Sequence, residues 1–76
     1  MEKKSAETGT QSLNRALDLL RIVASRSRTG LRLVEAVEQT GLTRPTVHRL
    51  LQALTHQGFT AYDPASRRYH LGPEAF

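Results

Sequence analysis

The 76-residue sequence predicts a mainly α domain with a small β-hairpin: a winged helix-turn-helix of three helices and a C-terminal wing. Three observations predict it. Thr40 to Leu54 reads as a tight turn feeding an amphipathic helix. A short apolar segment that can form the partner helix precedes that turn. Two β-prone runs joined by an Asp-Pro turn follow the helix.

The turn and its helix carry the clearest signals. Gly41 can take the positive φ that ends a helix without a steric penalty. Thr43 is a good N-cap, because its hydroxyl can accept from an unpaired amide of the first turn. Pro45 falls in that turn, where its missing N–H removes no hydrogen bond. Val47, Leu50, Leu51 and Leu54 then share one face at helical spacing. Pro45, Arg49, Gln52 and His56 occupy the opposite face, with Arg44 and His48 beside it. The predicted helix runs from Thr43 to about Gln57 and stops at Gly58. A second helix after a short glycine turn, with a cationic outer face, is the pattern of a DNA-reading element.

Composition narrows the function. Eleven Lys and Arg stand against seven Asp and Glu, a net charge of +4. Between Thr40 and Pro73 there are four arginines (Arg44, Arg49, Arg67, Arg68) and one acid, Asp63, which suits a polyanionic partner. Cysteine is absent, so there is no thiolate metal site, and the spacing of His48, His56 and His70 does not suit a zinc site. No cofactor is expected. No paired carboxylates, nucleophile–base spacing or glycine-rich phosphate loop stands out, so an enzyme is not expected. No apolar run reaches the ~20 residues of a membrane span, and Met1 to Gln11 is too polar for a signal peptide. The cytoplasm is the expected location.

In chain order, residues 1–11 are polar and read as a flexible arm. Its Lys3 and Lys4 either solubilise, the favoured role, or brush phosphates. Residues 12–72 form the domain. The first helix is predicted from Ser12, as its cap, to about Arg26. Leu13, Leu17, Leu20 and Ala24 make its main stripe, joined by Ala16 and Val23, while Leu19 and Ile22 lie off it. This apolar surface is wider than one core contact needs, so Leu13, Ala16, Leu17 and Leu20 are candidates for a homodimer interface. Arg26 to Gly30 is a basic turn, near a phosphate or simply solvated. Leu31 to Val34 suits a short strand with Leu31 and Leu33 facing alike. A short helix follows from Val34 to about Gln39, with Val34 where a Ser or Thr cap would help. Phe59 to Tyr62 and Arg67 to Leu71 are the hairpin strands, with Phe59 and Leu71 expected to be covered. Gly72-Pro73 ends the hairpin, and residues 73–76 begin a linker.

Gln11-Ser-Leu-Asn-Arg-Ala-Leu17, Gly41-Leu-Thr-Arg-Pro-Thr-Val-His-Arg-Leu-Leu51, Gly58-Phe59 and Arg68-Tyr-His-Leu-Gly-Pro73 occur in this order. Together they resemble the N-terminal DNA-binding domain of the isocitrate lyase regulator family of bacterial transcription factors, over about residues 11–76. The departures are Val34, where the family favours a small hydroxylic residue, and Ala36, where it favours a larger apolar one. The resemblance implies a winged helix-turn-helix that regulates transcription, as repressor or activator. It implies a dimer formed partly through the first helix on a pseudo-palindromic double-stranded operator. It also implies a C-terminal effector domain that is absent here, so no small-molecule effector is expected for this chain.

The residues predicted to contact DNA are Thr43, Arg44, Pro45, Thr46, His48, Arg49, Gln52, Arg67 and Arg68. Arg49 faces outward and has the planar fork that pairs with guanine. Thr43 and Thr46 suit phosphate oxygens at the helix start. Pro45 offers apolar contact, and Gln52, a turn deeper, suits adenine. Arg67 and Arg68 would hold phosphate or enter the minor groove. The competing expectation is a winged-helix docking module for another protein, which predicts no affinity for duplex DNA at physiological salt.

Overall fold

A computed structural model describes residues 2–76, with side chains described from Thr10 onward. The elements run α1 (Glu2–Ser25), β1 (Leu31–Arg32), α2 (Leu33–Thr40), α3 (Arg44–His56), β2 (Thr60–Asp63), β3 (Arg68–Leu71) and a short 3-10 turn at Pro73–Ala75. The three strands form one antiparallel sheet in the order β1-β3-β2. Three helices and this wing are the predicted architecture.

Helix α1 begins at Glu2, ten residues before the expected cap, so Ser12 is an exposed interior residue. Glu, Lys and Ala in residues 2–7 are good helix formers, and without a proline nothing in that stretch stops the helix. The Lys3 and Lys4 side chains, and Met1, lie outside the described residues. The buried face of α1 also differs from the expected one. Leu19 and Val23 are fully buried, with Ile22 packed beside them. Leu13 and Leu17 remain 58% and 40% exposed. Two stripes satisfy the helical period here, and the stripe that seemed surplus is the one that meets the core.

That core joins Leu19, Val23, Leu31, Ala36, Val47, Leu51 and Tyr69. Ala36 is fully buried, so the small residue sits where α2 packs closely. Strand β1 is only two residues long, because Leu33 already belongs to α2. The capping position of α2 is therefore Arg32, not Val34. An arginine side chain cannot accept a hydrogen bond. Glu35 closes the helix start instead: its Oε1 accepts from the Arg32 N–H at 2.9 Å, and its Oε2 lies 3.6 Å from the Arg26 guanidinium. One carboxylate thus ties the turn after α1 to β1 and α2.

Gly41 ends α2 with φ 72°, and its N–H donates to the Val37 carbonyl at 2.9 Å. Thr43 then caps α3, accepting from the Thr46 N–H at 3.4 Å. At the far end, Thr60 is a buried polar residue, and its hydroxyl lies 2.7 Å from that of Thr55. This bond joins α3 to β2 within the protein. At Gly72 any side chain would overlap the Gly58 carbonyl oxygen, which accounts for glycine where the hairpin closes back on the end of α3. Phe59 differs from expectation: it is 38% exposed, because it precedes β2 in the turn out of α3.

Leu51→Ala should cost about 2–5 kcal/mol, as burial and cavity terms add, whereas Leu13→Ala in dilute protein should stay within about 0.5 kcal/mol; urea unfolding measures both. The Glu35 carboxyl is held below its ordinary range, first by the Arg32 N–H and then by the charges of Arg26, Arg32 and Arg68. A carboxyl more acidic in the folded than in the unfolded chain stabilises fully above its unfolded pKa and loses that contribution as pH falls through the folded one. Glu35→Gln should therefore be less stable than the parent at neutral pH. The two should converge on acidification, as thermal unfolding across pH would show.

Candidate nucleic-acid interface

Helix α3 buries Val47 and Leu51, packs Leu50 and Leu54 against the core, and leaves its remaining face to other contacts. Arg44, His48, Gln52 and His56 recur every four residues and form a ridge along it. This ridge is one wall of an open cleft of about 970 Å³ between α3 and the hairpin. Tyr62, Arg67 and Tyr69 of the hairpin region form the opposite wall, and Arg32, Leu33 and Val34 close one end. Arginines from three parts of the chain line this cleft, and no acidic residue among the described ones does.

The wing turn explains one of them. Asp63 organises that turn: Oδ2 accepts from the Ser66 hydroxyl at 2.9 Å and Oδ1 from the Ala65 N–H at 3.1 Å. The Ser66 hydroxyl first, and then the Ala65 N–H, hold its carboxyl below the usual range. The chain then reverses at Arg67, whose N–H donates to the Asp63 carbonyl. Arg67 has φ 59°, a non-glycine residue in the left-handed region. A position where glycine would be unstrained instead carries a long cation at the edge of the cleft.

The two predicted wing arginines separate. Arg67 lines the cleft. Arg68 starts β3, in register with Arg32 and Asp63, and its Cβ lies beside Gly30. The next residue, Tyr69, points into the core, so Arg68 projects from the other face of the sheet.

The remaining predicted residues stand on or before α3. Pro45 and Arg49 are exposed outside the cleft. Thr43 donates its hydroxyl proton to Thr46 Oγ1 at 2.9 Å while capping the helix, so Thr46 retains a proton to donate outward. Reading the sequence missed Arg32, Val34 and Tyr62 as cleft residues. His56 lay on the expected outer face of α3 but was not singled out. Tyr62 was legible as a strand residue only. Its ring packs on that of Tyr69, centroids 4.8 Å apart and planes tilted 51°, while burial pushes the Tyr69 phenol up.

Residues 12–64 match the family model described as the IclR helix-turn-helix domain. The chain belongs to this family. A regulator called BhcR from Paracoccus denitrificans is 38% identical over 90% of this chain and 24% of its own length. The glycerol operon regulatory protein of Streptomyces griseus is 42% identical over 84% of the chain and 25% of its own. The crystal structure of an IclR transcriptional regulator from Alicyclobacillus acidocaldarius superposes with a TM-score of 0.78 at 34% identity, over 87% of this chain and 26% of that one. The chain thus spans about a quarter of the length of these relatives. The matched segment is the helix-turn-helix domain of that regulator family.

The strained backbone at Arg67 permits a clean separation of roles. Arg67→Gly should fold with a stability within about 1 kcal/mol of the parent, since relief of the left-handed strain offsets the freer unfolded chain. Its affinity for duplex DNA should fall, with the salt slope shallower by about 1. Chemical denaturation and binding isotherms at several salt concentrations measure the two effects.

Proposed function

We propose that this chain reads a double-stranded operator, with α3 in the major groove and the hairpin on the backbone. The observation that carries this reading is the acid-free cleft, lined by Arg32, Arg44 and Arg67 from three parts of the chain. A cleft of one sign concentrates a polyanion, and phosphate contacts fix register before bases are read. Arg49 is exposed on α3 outside that cleft. This supports Arg49 as a direct base reader through guanine O6 and N7, while Arg44 and Arg67 hold flanking phosphates. Pro45 and Gln52 are exposed on the same helix and would meet base edges beside it, with Thr46 and His48 toward the backbone. Arg68, on the other face of the sheet, would serve at longer range.

The domain works as a homodimer in this reading. Leu13 and Leu17 are exposed on α1, with Ala16 and Leu20 half-buried beside them, an apolar strip without a partner in the single chain. A two-fold pair presents two recognition helices, so the operator would be pseudo-palindromic. No helix among the described residues is long and apolar enough to cross a membrane, which suits work on DNA in the cytoplasm.

Fluorescence anisotropy on the duplex upstream of its own gene, against a shuffled duplex, tests the reading. Tighter binding to the native duplex that persists at physiological salt is expected, with a symmetric footprint. Arg49→Ala should lose about 1–3 kcal/mol and relax preference at one base pair. An unchanged preference would remove Arg49 from base reading. Absence of binding even at low salt would favour a protein-docking module.

A further inference from the structure

The cleft is not purely cationic. Among the large apolar side chains that the described residues leave exposed, Val34 at 46% and Tyr62 at 43% both line it. They come from distant parts of the chain, the first turn of α2 and the second-last residue of β2. Tyr62 packs beside its cross-strand partner, the buried Tyr69, so its ring presents a preset surface. Apolar surface left in water at a charged cleft marks contact with something that is itself apolar between charges.

A DNA strand has that pattern. Its phosphates alternate with deoxyribose rings, which offer carbon and hydrogen faces and no charge. The proposal rests on the DNA-binding reading above: we propose that Tyr62 and Val34 form an apolar seat for deoxyribose rings of the strand whose phosphates the cleft arginines hold. Thymine methyl groups are the other apolar feature of a duplex, but they project into the major groove. There the outward residues of α3, Pro45 and Arg49, would meet them. Tyr62 and Val34 lie in the cleft beside α3, with the phosphate-holding Arg67.

The seat predicts a signature unlike that of an arginine. Removing an apolar sugar contact releases no counterions, so affinity falls while its salt dependence stays the same. The experiment titrates wild type, Tyr62→Ala, Tyr62→Phe and Val34→Ser against the native upstream duplex and the shuffled one at several salt concentrations, with circular dichroism of each variant. Tyr62→Ala should bind both duplexes about tenfold more weakly, with an unchanged salt slope. Tyr62→Phe should match wild type, and Val34→Ser should weaken both duplexes with the same unchanged slope. A shallower slope, a Tyr62→Phe loss equal to that of Tyr62→Ala, a loss confined to one duplex, or no loss would each overturn the seat. If Tyr62→Ala fails to fold, Val34→Ser decides by the same criteria. Wild type that binds neither duplex would overturn the DNA reading itself, and the seat with it.

Discussion

Helix α3 must be buried on one side and open on the other, and the remaining elements are arranged to hold it so. Val47 and Leu51 are fully buried in a core shared with Leu19 and Val23 of α1, Ala36 of α2 and Tyr69 of β3. Burial of apolar surface is strong but non-directional. It keeps α3 in the domain without fixing where the helix starts or how the hairpin stands beside it. Directional bonds supply that information. The Gly41 reversal sets the angle between α2 and α3, the Thr43 cap sets the first turn, and the Thr55–Thr60 hydroxyl pair joins the last turn to the wing.

The hairpin uses the two-residue period of a strand to serve both sides of the sheet. Tyr69 is buried in the core and also reaches the wall of the cleft, where it backs Tyr62. Its neighbour Arg68 faces away. The turn built on Asp63 then forces Arg67 into a left-handed conformation, and this brings its side chain to the cleft. Fold and binding surface are therefore coupled at single residues. The same coupling appears at Glu35, whose carboxylate fixes Arg32 at the start of α2 beside the cleft.

Most of α3 was legible because independent local signals agreed there. A cap at Thr43, a proline in the first turn, apolar residues at helical spacing and a glycine stop all point to one register. The hairpin was legible for a similar reason, with an Asp-Pro turn between β-prone runs. Helix α1 was not, because Leu13, Leu17, Leu20 and Ala24 satisfy the same period as Leu19, Ile22 and Val23. The start of α2 was misplaced by one residue and its capping position by two, since no hydroxylic cap marks it and the carboxylate that replaces the cap lies inside the helix.

The sequence by itself determined the kinds of element, their order and the cationic character of the helix-and-hairpin half. These depend on local propensity, spacing and composition, which need no distant partner. Tertiary structure decided which stripe of α1 is buried, which wing arginine enters the cleft and which apolar residues join it. Each of those is a choice between faces that are equivalent along the chain. It is settled when Leu19 and Val23 meet Val47 and Leu51, and when the Asp63 turn fixes on which side of the sheet Arg67 emerges.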